Sequence, residues 1–551
     1  MENTRESIEK QIWKSALILT IAGIITKILS AAYRIPFQNI AGDVGFYIYQ
    51  QVYPFYGIAL ILATYGFPVI ISKLIAEQME EKKGEPFKVL LVAFVFLSLL
   101  FIGLFLILYT GSEKISYWMG DRELSIPLKV VSFSLLFVPI LSVLRGYFQG
   151  RNNMTPTAIS QIGEQSIRVT TILVFTYFLL TNGYSSYIGG AGAVFGSITG
   201  GFCAVIILLY FWTKMGKSHK SSFSFSFKDL KGSSTNSLSI VKAITVQGFT
   251  ICISSLFLIL LQLVDAMTLY SELISSGDFS LTEAKVAKGI FDRGQPLIQL
   301  GTVVATSLSL TLVPLISSAK VRDDFVYIRK QVQLSIRVSV IVGVGAALGL
   351  MAIIKPTNYM LFTNTDGSFV LAILAITILF SSIVMTSAAI LQGLGKTLAP
   401  AYFVIIGVVC KIILNYLFIP YFGTAGAALA TVAAYLLTTI FHVRALMKLL
   451  HVPLFFGYTN KALLSGGCMV LALYSYGLLL HELFHQSEAG SRMFATFQSL
   501  SAVIMGGVIY ILIVAKTNVF TEDELSSLPF GSKLQFFKRK NRKKHFSLKE
   551  E

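Results

Sequence analysis

Residues 89–110 read VLLVAFVFLSLLFIGLFLILYT, an unbroken apolar run with neither a charge nor a proline. At about 1.5 Å of rise per residue such a run spans roughly the 30 Å of bilayer hydrocarbon. Backbone N–H and C=O groups find no water there, so the run must satisfy them internally as a helix. Comparable runs recur along the 551 residues, and fourteen spans are expected. Composition agrees: 54% of the residues are hydrophobic, 13% are charged, and mean hydropathy is +0.71. A soluble domain carries about 25% charged residues. The four cysteines (Cys203, Cys252, Cys410, Cys468) stand singly in apolar runs and read as packed thiols.

An even number of spans puts both termini on one side. If that side is the cytoplasm, most of the 45 Lys and Arg fall in inner segments, as the positive-inside rule requires. The net charge of +17 is thereby accounted for without nucleic acid. The tail FKRKNRKKH (537–545) reads as a solvated patch beside anionic headgroups. The first apolar run is too long for a cleaved leader and carries Lys27, so it is expected to be a span.

The two halves overlay. QGRNNMTPTAISQIGEQSIR (149–168) aligns with QGLGKTLAPAYFVIIGVVCK (392–411), which sets Arg168 on Lys411. YIGGAGAVFGSITGG (187–201) aligns with YFGTAGAALATVAAY (421–435), and Pro54 meets Pro296. The expected architecture is an all-α membrane protein with two six-helix lobes in parallel repeat. Residues 1–215 and 241–450 form the lobes, 216–240 a cytoplasmic linker, 451–515 two extra helices and 516–551 a basic cytoplasmic tail. Parallel repeats are a transporter architecture, with the substrate at the interface between lobes. Gly192, Gly196 and Gly200, spaced by four, point to close helix packing.

Ionisable residues inside spans cost about 2.5–3.5 kcal/mol each on insertion scales, so they face a partner or a wet cavity. Lys27 and Arg34 lie two helical turns apart on one face. Thr157, Gln161, Glu164, Gln165 and Arg168 form one polar stripe, in which Glu164 and Arg168 have the spacing of an intrahelical pair. A chamber lined by Lys27, Arg34, Arg168, Arg293 and Lys411 would attract an anion, and arginine's planar fork suits phosphate. Asp43, Asp265, Asp292 and Glu164 are candidates for charge balance or ion coupling.

TKILSAAYRIPFQNIAGDVGFYIYQQVYPFY (26–56), LRGYFQGRNNMTPTAISQIGEQSIRV (144–169) and FDRGQPLIQLGTVVATSLSLTLVPLIS (291–317) resemble the polysaccharide-transport and mouse-virulence-factor branches of the multidrug/oligosaccharidyl-lipid/polysaccharide (MOP) exporter superfamily. The likeness is closest to MurJ-type lipid II flippases and stage V sporulation protein B. It covers essentially the whole chain. The resemblance implies two lobes in a V, alternating access, and a groove on the last two helices for a polyprenyl tail. It further implies that Lys27 and Arg34 match the family's first-helix basic pair and that Arg293 matches its eighth-helix arginine. Two departures stand out: the first basic position is Lys, and the family's second-helix arginine has no counterpart in 46–72. Arg145 and Arg168 are candidates for its work.

The expectation is therefore a flippase in the bacterial cytoplasmic membrane. It carries an undecaprenyl-pyrophosphate-linked sugar, lipid II foremost, for peptidoglycan synthesis. Its partners are the lipid-linked oligosaccharide, membrane lipids and cell-wall synthesis proteins, and it works as a monomer. Substrate-binding candidates are Arg34, Arg293, Lys27, Arg168, Arg145 and Lys411. No cofactor is expected; the membrane potential, a proton or sodium would drive transport, since no phosphate-binding loop for ATP is present. Rival readings are a flippase for another lipid-linked polymer unit and a multidrug/cation antiporter. His481-Glu482-Leu483-Phe484-His485 spells the HExxH zinc-protease pattern, but no suitable third ligand follows it.

Overall fold

The computed structural model describes residues 18–80, 86–218, 237–454, 457–483, 491–517 and 519–520, and every regular element among them is helical. The chain begins with α1 (18–32), α2 (Arg34–Ile61), α3 (Phe67–Glu80) and α4 (Pro86–Trp118). Next come α5 (Ser125–Ser132), α6 (Val138–Gly150), α7 (Thr155–Thr181) and α8 (Ser186–Ser218). The second half opens with α9 (Ser237–Ala243), α10 (Phe249–Ser255), α11 (Phe257–Ser275), α12 (Leu281–Asp292), α13 (Gly294–Gly301) and α14 (Val303–Val321). It closes with α15 (Phe325–Ala352), α16 (Ile354–Phe362), α17 (Ser368–Ala375), α18 (Thr377–Gly393), α19 (Leu398–Leu450), α20 (Tyr458–Leu483) and α21 (Arg492–Lys516).

Eleven helices among the described residues are long and apolar enough to cross a membrane. This number and the expected fourteen differ for local reasons. Residues 18–80 run as 63 helical residues and α19 as 53, each far too long for one crossing. Each is folded back by a glycine at positive φ: Gly42 (φ 67°, ψ −178°) and Gly423 (φ 54°, ψ −133°). A break at Leu256 divides another run into α10 and α11. The first half of α7 is polar, which keeps that helix out of the eleven. The 281–321 run is not one continuous helix but three, of 12, 8 and 19 residues.

Local sequence explains the starts. Ser280 and Glu283 form a reciprocal capping box at the head of α12, and prolines occupy the first turns of α6 and α7. Packing follows from which face meets lipid. In α4 only 22% of the most apolar window is buried, and Leu99 and Ile107 are 71% and 66% exposed, a surface tenable only in hydrocarbon. The largest buried cluster is rich in α2 aromatics, among them Phe37, Phe46, Tyr49 and Tyr53. A second joins α14, α15, α18, the end of α19, α20 and α21. The Gly192–Gly200 stripe lets α8 lie directly on α7: a Cβ at Gly196 would stand 2.8 Å from the Arg168 carbonyl, and one at Gly200 2.7 Å from that of Glu164.

Gly42 has open space around its Cα, so an added methyl group meets no neighbour there. Its φ/ψ pair is nonetheless one that only glycine adopts readily, so Gly42→Ala should cost about 1–3 kcal/mol through backbone strain. Gly103, equally free of neighbours but inside α4, should tolerate alanine or gain from it. Thermal unfolding of the two variants in detergent checks this; equal midpoints would remove Gly42 as the device that reverses the chain.

Candidate functional site

A cavity of about 1110 Å³ lies among helices from both halves of the sequence. Its wall takes Lys27 from α1, Tyr53 and Gly57 from α2, and Gln161, Glu164 and Gln165 from α7. From the second half come Ser254, Gln299, Thr302, Thr306, Ser381 and Tyr435. At one end the hollow reaches Lys73 on α3 and the 394–397 connection through Gly395 and Thr397. Two π-helical turns, Leu62–Gly66 and Ile244–Gly248, border it and supply Thr64, Tyr65 and Gln247. Such turns loosen the regular ladder and turn backbone and side chains towards a site.

Lys27 is the expected cation that faces this hollow. Its ammonium donates to Thr302 Oγ1 (3.4 Å) and, more closely, to Thr306 Oγ1. The bonds link α1 to the start of α14. Thr302 and Thr306, one helical turn apart in an apolar stretch, escaped the sequence reading, as did Lys73 and Gln299. Lys73 stands at the mouth, 3.3 Å from Gln247 Oε1 and 3.9 Å from Glu77.

The other cations named from the sequence do not line the cavity, and the reason in each case is a partner. Arg145, wholly buried, donates to Ser160 Oγ (3.2 Å), the Ala63 carbonyl (3.2 Å), Thr64 Oγ1 (3.1 Å) and Glu164 Oε2 (2.6 Å). Glu164 therefore pairs across helices with Arg145, not along α7 with Arg168. Arg168 lies over the rings of Tyr33 and Tyr56, and Arg34 over that of Tyr53 at 4.3 Å. No nitrogen of Arg34 meets an acceptor in hydrogen-bonding geometry. Lys411 is bound to Asp265 at 2.7 Å. The polar stripe of α7 divides accordingly: Gln161, Glu164 and Gln165 face the cavity, while Thr157 and Arg168 turn away from it into the protein.

Arg293 has a different task. Its Nη2 and Nε donate to Asp43 Oδ1 at 2.6 and 3.2 Å, and its Nη1 to Asn364 Oδ1 at 2.6 Å and Asn358 Oδ1 at 3.4 Å. Gln38 adds a 2.8 Å bond to the same carboxylate oxygen. A second ion pair, Lys285 to Asp121 (3.2 Å), is tied in by Tyr187 and Tyr47, which donate to Asp121 Oδ2 at 2.5 and 3.1 Å. Gly289 lies so close that a Cβ would overlap the Asp43 carbonyl. Asp292 is held by Lys288 of its own helix at 2.6 Å. Two inter-half ion pairs and a backbone contact thus close the Asp43 end, which the hollow does not reach.

The pattern of the polysaccharide biosynthesis protein family matches residues 12–320, more than half of the chain. The chain belongs to that family. A second pattern, MatE, matches residues 251–417. The uncharacterized membrane protein YabM of Bacillus subtilis is 42% identical over 96% of this chain and 97% of its own length. The lipid II flippase MurJ of Bacillus subtilis is 25% identical over 92% and 95%. In fold, a solved structure of lipid II flippase MurJ in an inward closed conformation superposes with a TM-score of 0.66 at 17% identity, covering 92% of this chain and 99% of that one. The protein is a multi-pass helical membrane protein of that family, and its fold is that of the solved MurJ and of a MATE family transporter solved in an inward-facing conformation, which superposes with a TM-score of 0.61 at 16% identity.

Among the described residues no three His, Cys, Asp or Glu gather as metal ligands. His481 and Glu482 end α20 at its exposed tip, and His485 lies outside the described residues. The two last helices pack on α15 and α16 and contribute nothing to the cavity wall: Tyr510 donates to the Ile341 carbonyl at 2.7 Å.

Stripping Arg145 of its charge leaves Glu164 buried without its counter-ion, a loss of about 3–5 kcal/mol. Arg145→Met should therefore lower the thermal midpoint strongly, and Glu164→Gln in the same protein should recover much of the loss. Calorimetry of the four-member cycle in detergent reads the coupling; additive losses would show that the pair is not the unit.

Proposed function

We propose that this chain is a flippase that carries a polyprenyl-pyrophosphate-linked sugar, lipid II foremost, from the inner to the outer leaflet of a bacterial cytoplasmic membrane. The single observation that carries this reading is the hollow itself. It is roomy at about 1110 Å³, bordered by both halves of the sequence, open towards one end and latched at the other. Its size is at the upper limit of small-molecule pockets, as a glycosylated head requires. Its lining suits sugar and phosphate together: amides and hydroxyls at Gln161, Gln165, Gln299, Thr302 and Ser254, with Lys27 as the cation.

The lysine-rich segments on the Lys73 side support a cytoplasmic position for that end and an inward-facing cavity. Residues 1–215 and 241–450 act as two rocking lobes and fourteen crossings complete the topology. The head enters past Lys73, loses water and meets Lys27, while the lipid tail stays in hydrocarbon along the two last helices. Outward opening then requires that Asp43–Arg293 and Asp121–Lys285 part. An inside-negative potential favours outward movement of the anionic head by about 2.3 kcal/mol per charge per 100 mV. Arg293 is thus a gate residue in this state, and the chamber relies on one lysine rather than an arginine clamp.

A drug/cation antiporter would want acids free in the cavity. The lining acid, Glu164, is already neutralised by Arg145. The wall favours an anion.

Depletion of the protein in a strain without other flippases should accumulate one lipid-linked precursor on the inner leaflet, and its mass identifies the sugar; no accumulation of any such lipid would overturn the assignment. Lys27→Ala removes a charge-assisted contact of about 1.5–3 kcal/mol and should weaken transport roughly 10- to 100-fold, with Lys27→Arg largely active. Asp43→Asn should raise labelling of Gln299→Cys by an impermeant thiol reagent from outside. Unchanged labelling in a folded variant would show that the ion pair is no latch.

A further inference from the structure

Lys411 is buried, lies outside the wall of the cavity described above and takes no part in the transport path proposed there. All three of its protons are spoken for. The ammonium donates to Asp265 Oδ1 at 2.7 Å, to the Ala427 carbonyl at 2.8 Å and to Thr431 Oγ1 at 2.6 Å. The cage is assembled from three chain segments. Asp265 comes from α11, Lys411 from the first arm of α19, and Ala427 and Thr431 from the arm beyond the Gly423 reversal. One turn after Lys411, Asn415 donates its Nδ2 to the same Asp265 oxygen (3.1 Å) and to Thr268 Oγ1 (2.8 Å). That leaves Asn415 Oδ1 buried without a donor.

The three oxygens on the ammonium, a carboxylate, a main-chain carbonyl and a hydroxyl, are ligand types of a hard cation, and the unsatisfied Asn415 amide oxygen adds a further acceptor on the same helix face one turn away. The oxygens around the ammonium already stand at 2.6–2.8 Å, a few tenths of an ångström beyond the roughly 2.3–2.6 Å typical of oxygen ligation to such ions. We propose that the Lys411 ammonium is a tethered cation in an oxygen cage shaped for a monovalent metal ion. The second-half carboxylate Asp265 is therefore permanently neutralised and exchanges no ion during transport. Truncating Lys411 turns the cage into a sodium site.

The test uses the purified full-length protein in detergent, unfolded thermally in sodium chloride and in N-methyl-glucamine chloride at equal ionic strength. Wild type should unfold at the same temperature in both. Lys411→Ala should unfold lower without sodium, recover by several degrees as sodium is added, and saturate. Lys411→Ala/Asp265→Asn should lose that response. A saturable sodium shift in wild type overturns the proposal, as does a folded Lys411→Ala that ignores sodium. If Lys411→Ala cannot be purified without sodium, purification with sodium present should rescue it while N-methyl-glucamine does not, and equal failure in both salts counts against the cage. Lys411→Ser gives the same contrast with a smaller cavity.

Discussion

A cation taken into hydrocarbon is most cheaply kept there with its counter-charge, and this constraint decides where four of the buried basic side chains come to rest. Arg145 takes Glu164, Lys411 takes Asp265, Arg293 takes Asp43, and Lys288 takes Asp292. The first two pairs join neighbouring helices within one half of the sequence and are sealed by further hydrogen bonds. The pair of Arg293 with Asp43 joins the two halves and sits at the closed end. A pair of the first kind holds a unit together at every stage of a cycle. A pair of the second kind can hold only one state, because opening that end must separate it.

This division explains how a chain rich in positive charge keeps a hollow with so few cations in its wall. Charges satisfied by carboxylates are withdrawn from the substrate path, and Lys27 is left with hydroxyl partners that a phosphate oxygen can replace. Exchange of a neutral hydroxyl for an anionic acceptor is favourable, whereas an ion pair of the kind Arg145 makes would have to be broken first. Under the proposed function, the weakly held cation is the one that meets the anionic head.

The fold was legible because its signal is repeated locally: long uncharged runs, glycines spaced by four, and a polar stripe on α7. Pairing was not legible, for a physical reason. Glu164 has Arg168 at the favourable spacing on its own helix, yet Arg145 reaches it from α6 because the short 151–154 turn brings the two helices side by side. Arg293 and Asp43 lie 250 residues apart, and no periodicity in either segment announces the other. Thr302 and Thr306 did carry a signal, two hydroxyls one turn apart in an apolar helix, of the same kind that marked α7.

Arg34 and Arg168 show what happens where the nearby carboxylates are held by other cations. The direct ion pairs of the neighbouring carboxylates go to other cations, Glu164 to Arg145 and Asp292 to Lys288, and Arg34 and Arg168 are both buried. Their guanidiniums lie over Tyr53 and over Tyr33 and Tyr56, beside Tyr49, whose hydroxyl lies 2.6 Å from that of Tyr33. Ring faces are electron-rich, and desolvated contacts of this type contribute about 2 kcal/mol or more, less than a full counter-ion supplies. The compensation is therefore spread over several tyrosines, which ties α1, α2 and α7 into one body. Charge neutralised by a cage of rings cannot be displaced without dismantling that cage, so under the proposed function Arg34 holds the helices together while Lys27, which lines the cavity, is the cation left for an anion.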